Sequence, residues 1–260
     1  MSSENRVVDM EKDTSEMDDY IITLDIDWAP DWAIDSTAQI LIEKNVKATW
    51  FVTHRSEAVD RLRERSDLFE LGIHPNLLGG STHGKTEDEV LTHIKEIVPE
   101  AVSMRTHGLY QSTSFLIKAS VKYEILADVS LFLPRSANLV SHQVKWNGAK
   151  LRRIPYFWED DSEMFEEDPI WDLSDNRINV MGLRIFDFHP IHIALNTKQF
   201  SDYENIKQIK PVQDWTPEFI RDYTNKGKGP KQMFCQIADE LSNKGRKIKD
   251  LILDNSDDFN

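Results

Sequence analysis

The regular alternation of short apolar runs with helical patterns constrains the fold of this chain most strongly. Residues 20–25 (YIITLD) and 48–52 (ATWFV) are apolar and β-rich, and each precedes a stretch with apolar residues at helical spacing. Further strand candidates are residues 68–73, 101–104 and 185–189, and helix candidates are residues 34–44, 56–65, a segment capped by Thr86 and Glu89, and 112–120. Repeated strand–helix units predict an α/β fold, with a parallel sheet or barrel covered by helices.

The remaining segments predict one domain with a tail and a helical extension. Residues 1–16 are acidic and predict a mobile N-terminal tail, and residues 17–260 predict a single catalytic domain. Residues 128–175 mix apolar and acidic stretches, which predicts short strands and loops that cap the domain. Helical patterns return over residues 216–253, interrupted at 226–230 by Gly and Pro.

Charge and cysteine content exclude several classes of partner and site. Asp and Glu total 45 against 31 Lys and Arg, a formal charge of −14, which disfavours nucleic acid. Cys235 is the single cysteine, which excludes an intrachain disulfide and fits a reducing, cytoplasmic compartment. No run of about 18 apolar residues predicts a membrane span. The sequence does not predict an oligomeric state.

Polar side chains that suit metal chemistry follow the predicted strands. Asp25 and Asp27 end the first strand, where alternation points both carboxylates the same way, and such a pair favours a cation between them. Histidines follow the later strands, at positions 54, 74, 107 and 189. Because ligands bind beyond the carboxyl ends of parallel strands, these residues predict a common site. Aspartate and histidine are ligands of zinc and similar divalent ions.

Two histidines flank a loop in LGIHPNLLGGSTHG, residues 71–84. Pro75 and the pair Gly79-Gly80 allow the loop to return, so that His83 reaches the same ion as His74. In the alternative interpretation, His83 is only a polar loop residue and His74 alone contributes to the site.

Five segments together resemble the polysaccharide deacetylase superfamily, also called the NodB-homology or carbohydrate esterase family four group. They are TLDIDW (23–28), KATWFV (47–52), ELGIHPN (70–76), RTHGL (105–109) and FDFHP (186–190). The set is most similar to the WbmS-like branch, which is associated with O-antigen and other surface-polysaccharide assembly. The resemblance implies a distorted (β/α) barrel of about seven parallel strands and metal-dependent amide hydrolysis, most simply with zinc.

The resemblance also implies a ligand set for the metal. Asp27 matches the metal-binding aspartate of the family, with one residue inserted into the usual Asp-Asp pair, and His74 matches the first metal histidine. The second histidine of the family falls on Leu78 here. His83 is therefore expected to replace it.

Three further positions match catalytic residues of the family. Asp25 matches the catalytic base, Arg105 the arginine that orients the base, and His189 the late histidine that serves as general acid. The Arg-x-Pro motif of the family reads Arg-Thr-His in this chain.

Other aromatic and polar groups are expected to bind substrate. The resemblance assigns Trp158 with Asp160 or Asp161 to the aromatic and acidic groups near the site, whereas Trp50 lies in a predicted buried strand. The expected substrate-binding set is Trp28, His54, His107, Trp158, Asp160 and His192.

These observations predict an N-deacetylase that acts on an N-acetylated amino sugar, as a nucleotide-linked or lipid-linked precursor in surface-polysaccharide biosynthesis. One alternative is a metal-dependent hydrolase of another C–N bond, such as an amidase or a deformylating enzyme. A second alternative is a carbohydrate-binding relative without turnover, since Leu78 stands where the family has a histidine.

Overall fold

A computed structural model describes residues 20–253 of the chain; the predicted tail, residues 1–16, lies outside them. A nine-stranded sheet forms the centre of this part of the molecule. Its strands are β1 (Tyr20–Asp25), β2 (Ala48–Val52), β3 (Phe69–Ile73), β4 (Ser103–Met104), β5 (Ala127–Phe132), β6 (His142–Trp146), β7 (Ala149–Tyr156), β8 (Trp158–Glu159) and β9 (Arg184–Phe188). The buried β1, β2, β3 and β9 agree with the apolar runs of the sequence.

The sheet closes into a distorted (β/α) barrel. The strand order is β6-β7-β5-β4-β3-β2-β1-β9-β8, and only the β6–β7 pairing is antiparallel. Strand β8 is at one end of this order and β7 is next to the other end, but the two are separated along the chain by Phe157 alone. The Phe157 amide donates to the Ile185 carbonyl at 2.9 Å, so one continuous segment joins β5 to β9. The predicted class of fold is confirmed.

Helices cover the barrel as the alternation predicts. They are α1 (Asp31–Glu43), α2 (Glu57–Glu64), α3 (Glu87–Ile97), α4 (Thr113–Tyr123), α5 (Asp160–Glu163), α6 (Pro190–Leu195), α7 (Phe200–Ile209), α8 (Pro217–Ile220), α9 (Pro230–Glu240) and α10 (Ile248–Leu253). Ser56, Thr86 and Ser112 cap α2, α3 and α4, and Thr86 forms the expected capping box with Glu89. No helix within residues 20–253 is long and apolar enough to cross a bilayer.

The middle of the chain differs from its prediction as a cap of short strands and loops. Residues 127–156 contain β5 and the hairpin of β6 and β7, and β5 and β7 are barrel strands. Polar residues interrupt the apolar pattern of β5, so the sequence did not predict it as a buried strand. Asp128 on β5 accepts a hydrogen bond from the Ser130 hydroxyl at 2.6 Å, and its Oδ2 lies 2.7 Å from Arg153 Nε on β7, so its charge is paired inside the fold.

Helix α10 closes the amino-terminal end of the barrel through a buried carboxylate. Glu70 on β3 accepts hydrogen bonds from the hydroxyls of Thr49 at 2.8 Å and Ser103 at 2.7 Å. It also accepts the Lys249 amide at the start of α10, at 2.8 Å. Glu70 therefore links three neighbouring strands to the last helix.

We expect Glu70→Leu to lower the free energy of unfolding by about 2–4 kcal/mol, because it leaves several buried donors without a partner. Glu70→Gln, which retains an acceptor, should cost much less. Burial raises the pKa of Glu70, and this effect outweighs the hydrogen bonds, which lower it. The contribution of Glu70 to the free energy of unfolding is therefore largest below the ordinary carboxyl pKa. It falls as pH rises through the raised pKa of the folded state. Urea unfolding of the three proteins between pH 4 and 8 measures both effects; equal stability of the Leu and Gln variants would contradict the role of Glu70.

Candidate active site

The carboxyl ends of the barrel strands bring the predicted catalytic residues together. Asp25 ends β1, and His74, Arg105 and His189 directly follow β3, β4 and β9. All four side chains are buried, with exposures of 4% or less. Parallel strands deliver the residues after them to one edge of a sheet, which is why the sequence located this group.

A strained turn after β1 carries the second carboxylate to the same place. Asp27 and Trp28 both have positive φ angles, of 35° and 54°, which residues other than glycine rarely adopt. The Trp28 amide donates to the Thr53 hydroxyl at 3.2 Å, and the Ala29 amide donates to the Ile26 carbonyl at 2.7 Å. This turn, rather than strand alternation, aims Asp27 at the group.

One carboxylate oxygen and two ring nitrogens converge next to this turn. Asp27 Oδ1 lies 3.2 Å from His74 Nε2 and 3.2 Å from His107 Nδ1, and the two nitrogens are 3.3 Å apart. Asp27 Oδ1 is buried and forms no hydrogen bond of normal geometry within the described residues. We call Asp27, His74 and His107 the ligand triad.

The spacing of the ligand triad suits a divalent cation. For metal–ligand distances of about 2.0–2.1 Å, tetrahedral geometry separates neighbouring ligand atoms by about 3.3–3.4 Å. His74 Nδ1 faces Asp25 Oδ2 at 3.4 Å, the outer-shell arrangement that orients a metal-binding imidazole. The donor set therefore fits zinc or a similar ion.

Arg105 holds Asp25 in place from beneath the site. Its guanidinium donates to Asp25 Oδ1 at 3.0 Å, to Asp187 Oδ1, and to the Thr23 hydroxyl at 2.9 Å. The guanidinium also packs over the rings of Phe51 and Tyr156 on β2 and β7. Residues from several strands thus lock the arginine, and through it the orientation of the Asp25 carboxylate.

His189 is held by a carboxylate from α5. Asp160 Oδ1 lies 2.7 Å from His189 Nδ1, and Asp160 Oδ2 accepts the His189 amide at 2.9 Å. The opposite nitrogen, Nε2, faces Asp27 Oδ2 at 3.6 Å. Burial lowers the pKa of His189, but the charges of Asp161 and Asp160 outweigh burial and raise it well above 6.5.

A second carboxylate–histidine pair packs behind His189. Asp161 Oδ1 lies 2.9 Å from His192 Nε2, and His192 Nδ1 lies 3.0 Å from the Thr197 hydroxyl. Burial raises the pKa of Asp161, but attraction to His189 and His192 prevails and lowers it to about 2. Burial and the charge of Asp161 raise the pKa of Glu159 to about 7. Asp161 therefore places a negative charge beside His189.

His83 does not reach the ligand triad, contrary to the sequence-based expectation. Its Nδ1 accepts the Asn76 amide at 3.1 Å, and its ring packs against His93 and Trp28 with centroids 5.2 and 5.7 Å away. Burial lowers the pKa of His83 to about 4. The loop does fold back, but it turns His83 towards α3. His107, which the sequence analysis expected to bind substrate, lies in the ligand triad where His83 was expected.

Three other residues of the expected substrate-binding set lie elsewhere. Trp158 is 1% exposed and packs against Trp171 and Phe188, so it has no face to offer a sugar. Asp160 is fully buried against His189, and His192 is 2% exposed. These three side chains support the site from behind and do not line it.

Trp28 and His54, both expected to bind substrate, line a cleft beside the ligand triad, and their role in substrate binding stays a prediction. The cleft has a volume of about 830 Å³, and the Trp28 ring lies 5.3 Å from the ring of His107. A larger cavity of about 1020 Å³ is lined by Tyr20 and Arg184, at the amino-terminal end of the barrel. The metal-type ligands are at the other end, so we place the site at the smaller cleft.

Sequence reasoning missed Asp187. This residue is fully buried on β9, and its Oδ1 accepts hydrogen bonds from Arg105 and from the Thr23 hydroxyl at 2.9 Å. A signal was present, because an acidic residue within the apolar run IFDF requires a buried cation. Burial raises the pKa of Asp187 well above the ordinary value, and the charge of Arg105 opposes this.

Comparison with known proteins identifies a family for this chain. A family model described as WbmS-like polysaccharide deacetylase matches residues 22–207. A crystal structure of a putative polysaccharide deacetylase involved in O-antigen biosynthesis, WbmS from Bordetella bronchiseptica, shares 31% identity. It superposes with a TM-score of 0.73 over 85% of this chain and 90% of that chain.

More distant solved structures are also similar. Peptidoglycan deacetylase PdaC from Bacillus subtilis shares 13% identity over 93% of each chain, with a TM-score of 0.45. A family 4 acetyl xylan esterase from Clostridium thermocellum shares 14% identity over 91% of each chain, with a TM-score of 0.41. No curated protein sequence matches the chain. On the family match over residues 22–207 and the 31% identity to WbmS, the chain belongs to the WbmS-like polysaccharide deacetylase family.

Proposed function

We propose that the protein is a metal-dependent N-deacetylase that hydrolyses the acetamide of an N-acetylated amino sugar during surface-polysaccharide assembly of the O-antigen type. The observation that carries this proposal is the ligand triad, with its three ligand atoms 3.2–3.3 Å apart. Asp25 and His189, two groups able to move protons, border the triad. The WbmS relative, described as involved in O-antigen biosynthesis, supports the biological setting.

Asp27, His74 and His107 would hold the metal, and zinc is the ion we propose. When bound there, zinc would supply Lewis-acid chemistry to the water and to the acetamide carbonyl. This ligand set retains Asp27 and His74 from the sequence-based expectation and replaces His83 with His107. Three protein ligands match the composition of catalytic zinc sites, which keep a position open for water or substrate.

Asp25 is the proposed general base. Its Oδ1 is fixed by Arg105, and its Oδ2 lies on the side of His74, facing the ligand triad. The guanidinium sets positive charge beside the carboxylate and restricts its rotation. Asp25 is thereby oriented to accept a proton from the attacking water.

His189 is the proposed general acid. Asp160 accepts a hydrogen bond from His189 Nδ1–H and fixes the plane of the ring, so that Nε2 points towards Asp27. The charges of Asp161 and Asp160 raise the pKa of His189, which favours the protonated imidazole that a general acid requires. His189 would therefore donate the Nε2 proton to the nitrogen of the departing amine.

Asp160→Asn tests the support of this acid. An asparagine has one acceptor and one donor group, so it retains only one of the two interactions that Asp160 makes with His189. We expect kcat to fall by about two orders of magnitude, near the lower end of the two to four orders typical of general acid–base catalysis, with zinc content unchanged. Steady-state kinetics and metal analysis check this; an unchanged kcat would remove Asp160 from the acid assembly.

The proposed substrate is a nucleotide-linked or lipid-linked precursor, and we place the reaction in the cytoplasm. The lone Cys235 agrees with a reducing compartment. Acetate release tests the proposal: the purified chain, stripped of metal and reloaded with zinc, is incubated with N-acetylated amino sugars, free and carrier-linked. We expect acetate only after metal is restored. Release of formate from N-formyl sugars instead would favour the deformylating alternative, and binding without release would favour an inactive relative.

A further inference from the structure

His107 is the member of the ligand triad whose position depends most on a turn. Its side chain is 26% exposed, against 3% for His74, so little packing holds the ring itself. In the turn of residues 106–110, Gly108 and Leu109 have φ angles of 62° and 54°, in the left-handed region. Glycine adopts this region freely, whereas a leucine there costs about 1–2 kcal/mol, so neighbouring segments must hold the turn.

Hydrogen bonds anchor this turn to the sheet and to a neighbouring loop. The Thr106 amide donates to the Ser130 hydroxyl on β5 at 3.0 Å, and the Thr106 hydroxyl donates to the Tyr110 carbonyl at 2.8 Å. The His107 amide donates to the Pro75 carbonyl at 3.1 Å, which joins the turn to the loop after β3. These three bonds hold residues on both sides of Gly108.

Leu78, from the same loop as Pro75, packs directly on Gly108. A β-carbon at Gly108 would lie 3.1 Å from Leu78 Cδ1 and 3.6 Å from Cγ, so the leucine side chain covers the backbone of the turn. The leucine is nevertheless 46% exposed, because it also lines the cleft beside the ligand triad. Leu78 therefore restricts the path of the turn without belonging to the hydrophobic core.

Local hydrogen bonds place Leu78 over the turn. The Leu78 amide donates to Asn76 Oδ1 at 2.9 Å, and the Ser81 amide donates to the Leu78 carbonyl at 3.2 Å. A bond from an asparagine side chain to the backbone two residues later is a common way to shape a turn. The loop that begins at Pro75 is thereby folded so that Leu78 reaches Gly108.

We infer that Leu78 is a positioning residue for the metal site: its side chain closes over Gly108 and holds the turn in the conformation that aims His107 at the other two ligands. A ligand that is in place before the ion binds spares the free energy of ordering it at binding. Leu78 therefore strengthens zinc binding without contacting the ion. The inference rests on the proposed function in one respect, because that function makes His107 a zinc ligand.

Leu78→Ala removes the side chain that covers the turn and leaves the three ligands in place. We expect zinc to bind about tenfold more weakly, a difference of about 1.4 kcal/mol, at the lower end of the loss typical for residues that orient metal ligands. Leu78→Met, which keeps an apolar side chain of similar volume, should bind zinc nearly as tightly as the unchanged chain. Val121→Ala is the matched control, because Val121 is a 55% exposed aliphatic residue on α4.

Competition with a chromophoric chelator measures the zinc dissociation constant of the full chain, and circular dichroism verifies folding. A double-mutant cycle with Gly108→Ala tests the route of the effect. The added methyl group would lie 3.1 Å from Leu78 Cδ1 at a left-handed φ, so we expect this variant to bind zinc more weakly as well. Because both changes act on one contact, their effects on the free energy of zinc binding should be non-additive.

Other outcomes overturn the inference. Unchanged zinc affinity of folded Leu78→Ala protein would do so, and so would an equal loss in Val121→Ala. Strict additivity with Gly108→Ala would show that Leu78 does not act through the turn. Failure of the proposed function has a different signature: if His107→Ala keeps the zinc affinity of the unchanged chain, the proposed ligand set is wrong. Zinc binding that requires His107 but not Leu78 would contradict this inference alone.

Discussion

Asp25→Asn should lower kcat for acetate release by about two to four orders of magnitude, the range typical for loss of a general base. Asparagine keeps an oxygen that accepts the Arg105 hydrogen bond but lacks the capacity to take a proton from water. Because Asp25 is the outer-shell partner of His74, 3.4 Å from Nδ1, zinc affinity should fall by no more than about 10- to 100-fold, so the kinetics are measured with zinc in excess. Kinetics with N-acetylated sugars and zinc analysis of the same preparation measure both quantities.

A surface aspartate provides the control for this variant. Asp35 on α1 pairs with Arg61 at 2.8 Å, and its side chain is 42% exposed, so Asp35→Asn should leave kcat unchanged. Circular dichroism would verify that the Asp25 variant is folded. Near-normal turnover by folded, zinc-loaded Asp25→Asn protein would remove Asp25 as the base.

His107→Ala should abolish zinc binding at micromolar concentrations and acetate release with it. Loss of an outer-shell partner typically costs about 10- to 100-fold in metal affinity, and loss of a ligand should cost more. His83→Ala is the matched variant, because it removes the histidine that the sequence nominated and the structure turns towards His93. We expect it to keep one zinc ion per chain.

Metal stoichiometry after dialysis, on protein shown to be folded, separates the two histidines. Retention of zinc by His107→Ala together with loss by His83→Ala would restore the sequence-based ligand set. Loss in both variants would indicate that the loop of residues 76–83 rearranges when metal binds.

The sequence by itself determined the parallel α/β architecture and the sheet edge where the candidate site residues meet, whereas the barrel was implied by the family resemblance. Apolar runs that end in Asp25, His74 and His189 predicted both the parallel strands and the edge where those side chains meet, because parallel strands direct their carboxyl ends to one side. The capping box of Thr86 and Glu89 was also predicted from the sequence, since it depends on residues three positions apart. These features are local, or follow from a periodicity that local sequence displays.

Tertiary structure decided which side chains share the centre. Sequence distance favoured His83 as the partner of His74, yet His107, 33 residues from His74, lies closer in space because β4 neighbours β3. Trp158 and Asp160 carried the right chemistry, but closure of the barrel through Phe157 buries the first and turns the second onto His189. Which face a residue after a strand presents depends on turn geometry and on the neighbouring strand, and neither is written in the spacing of residues along the chain.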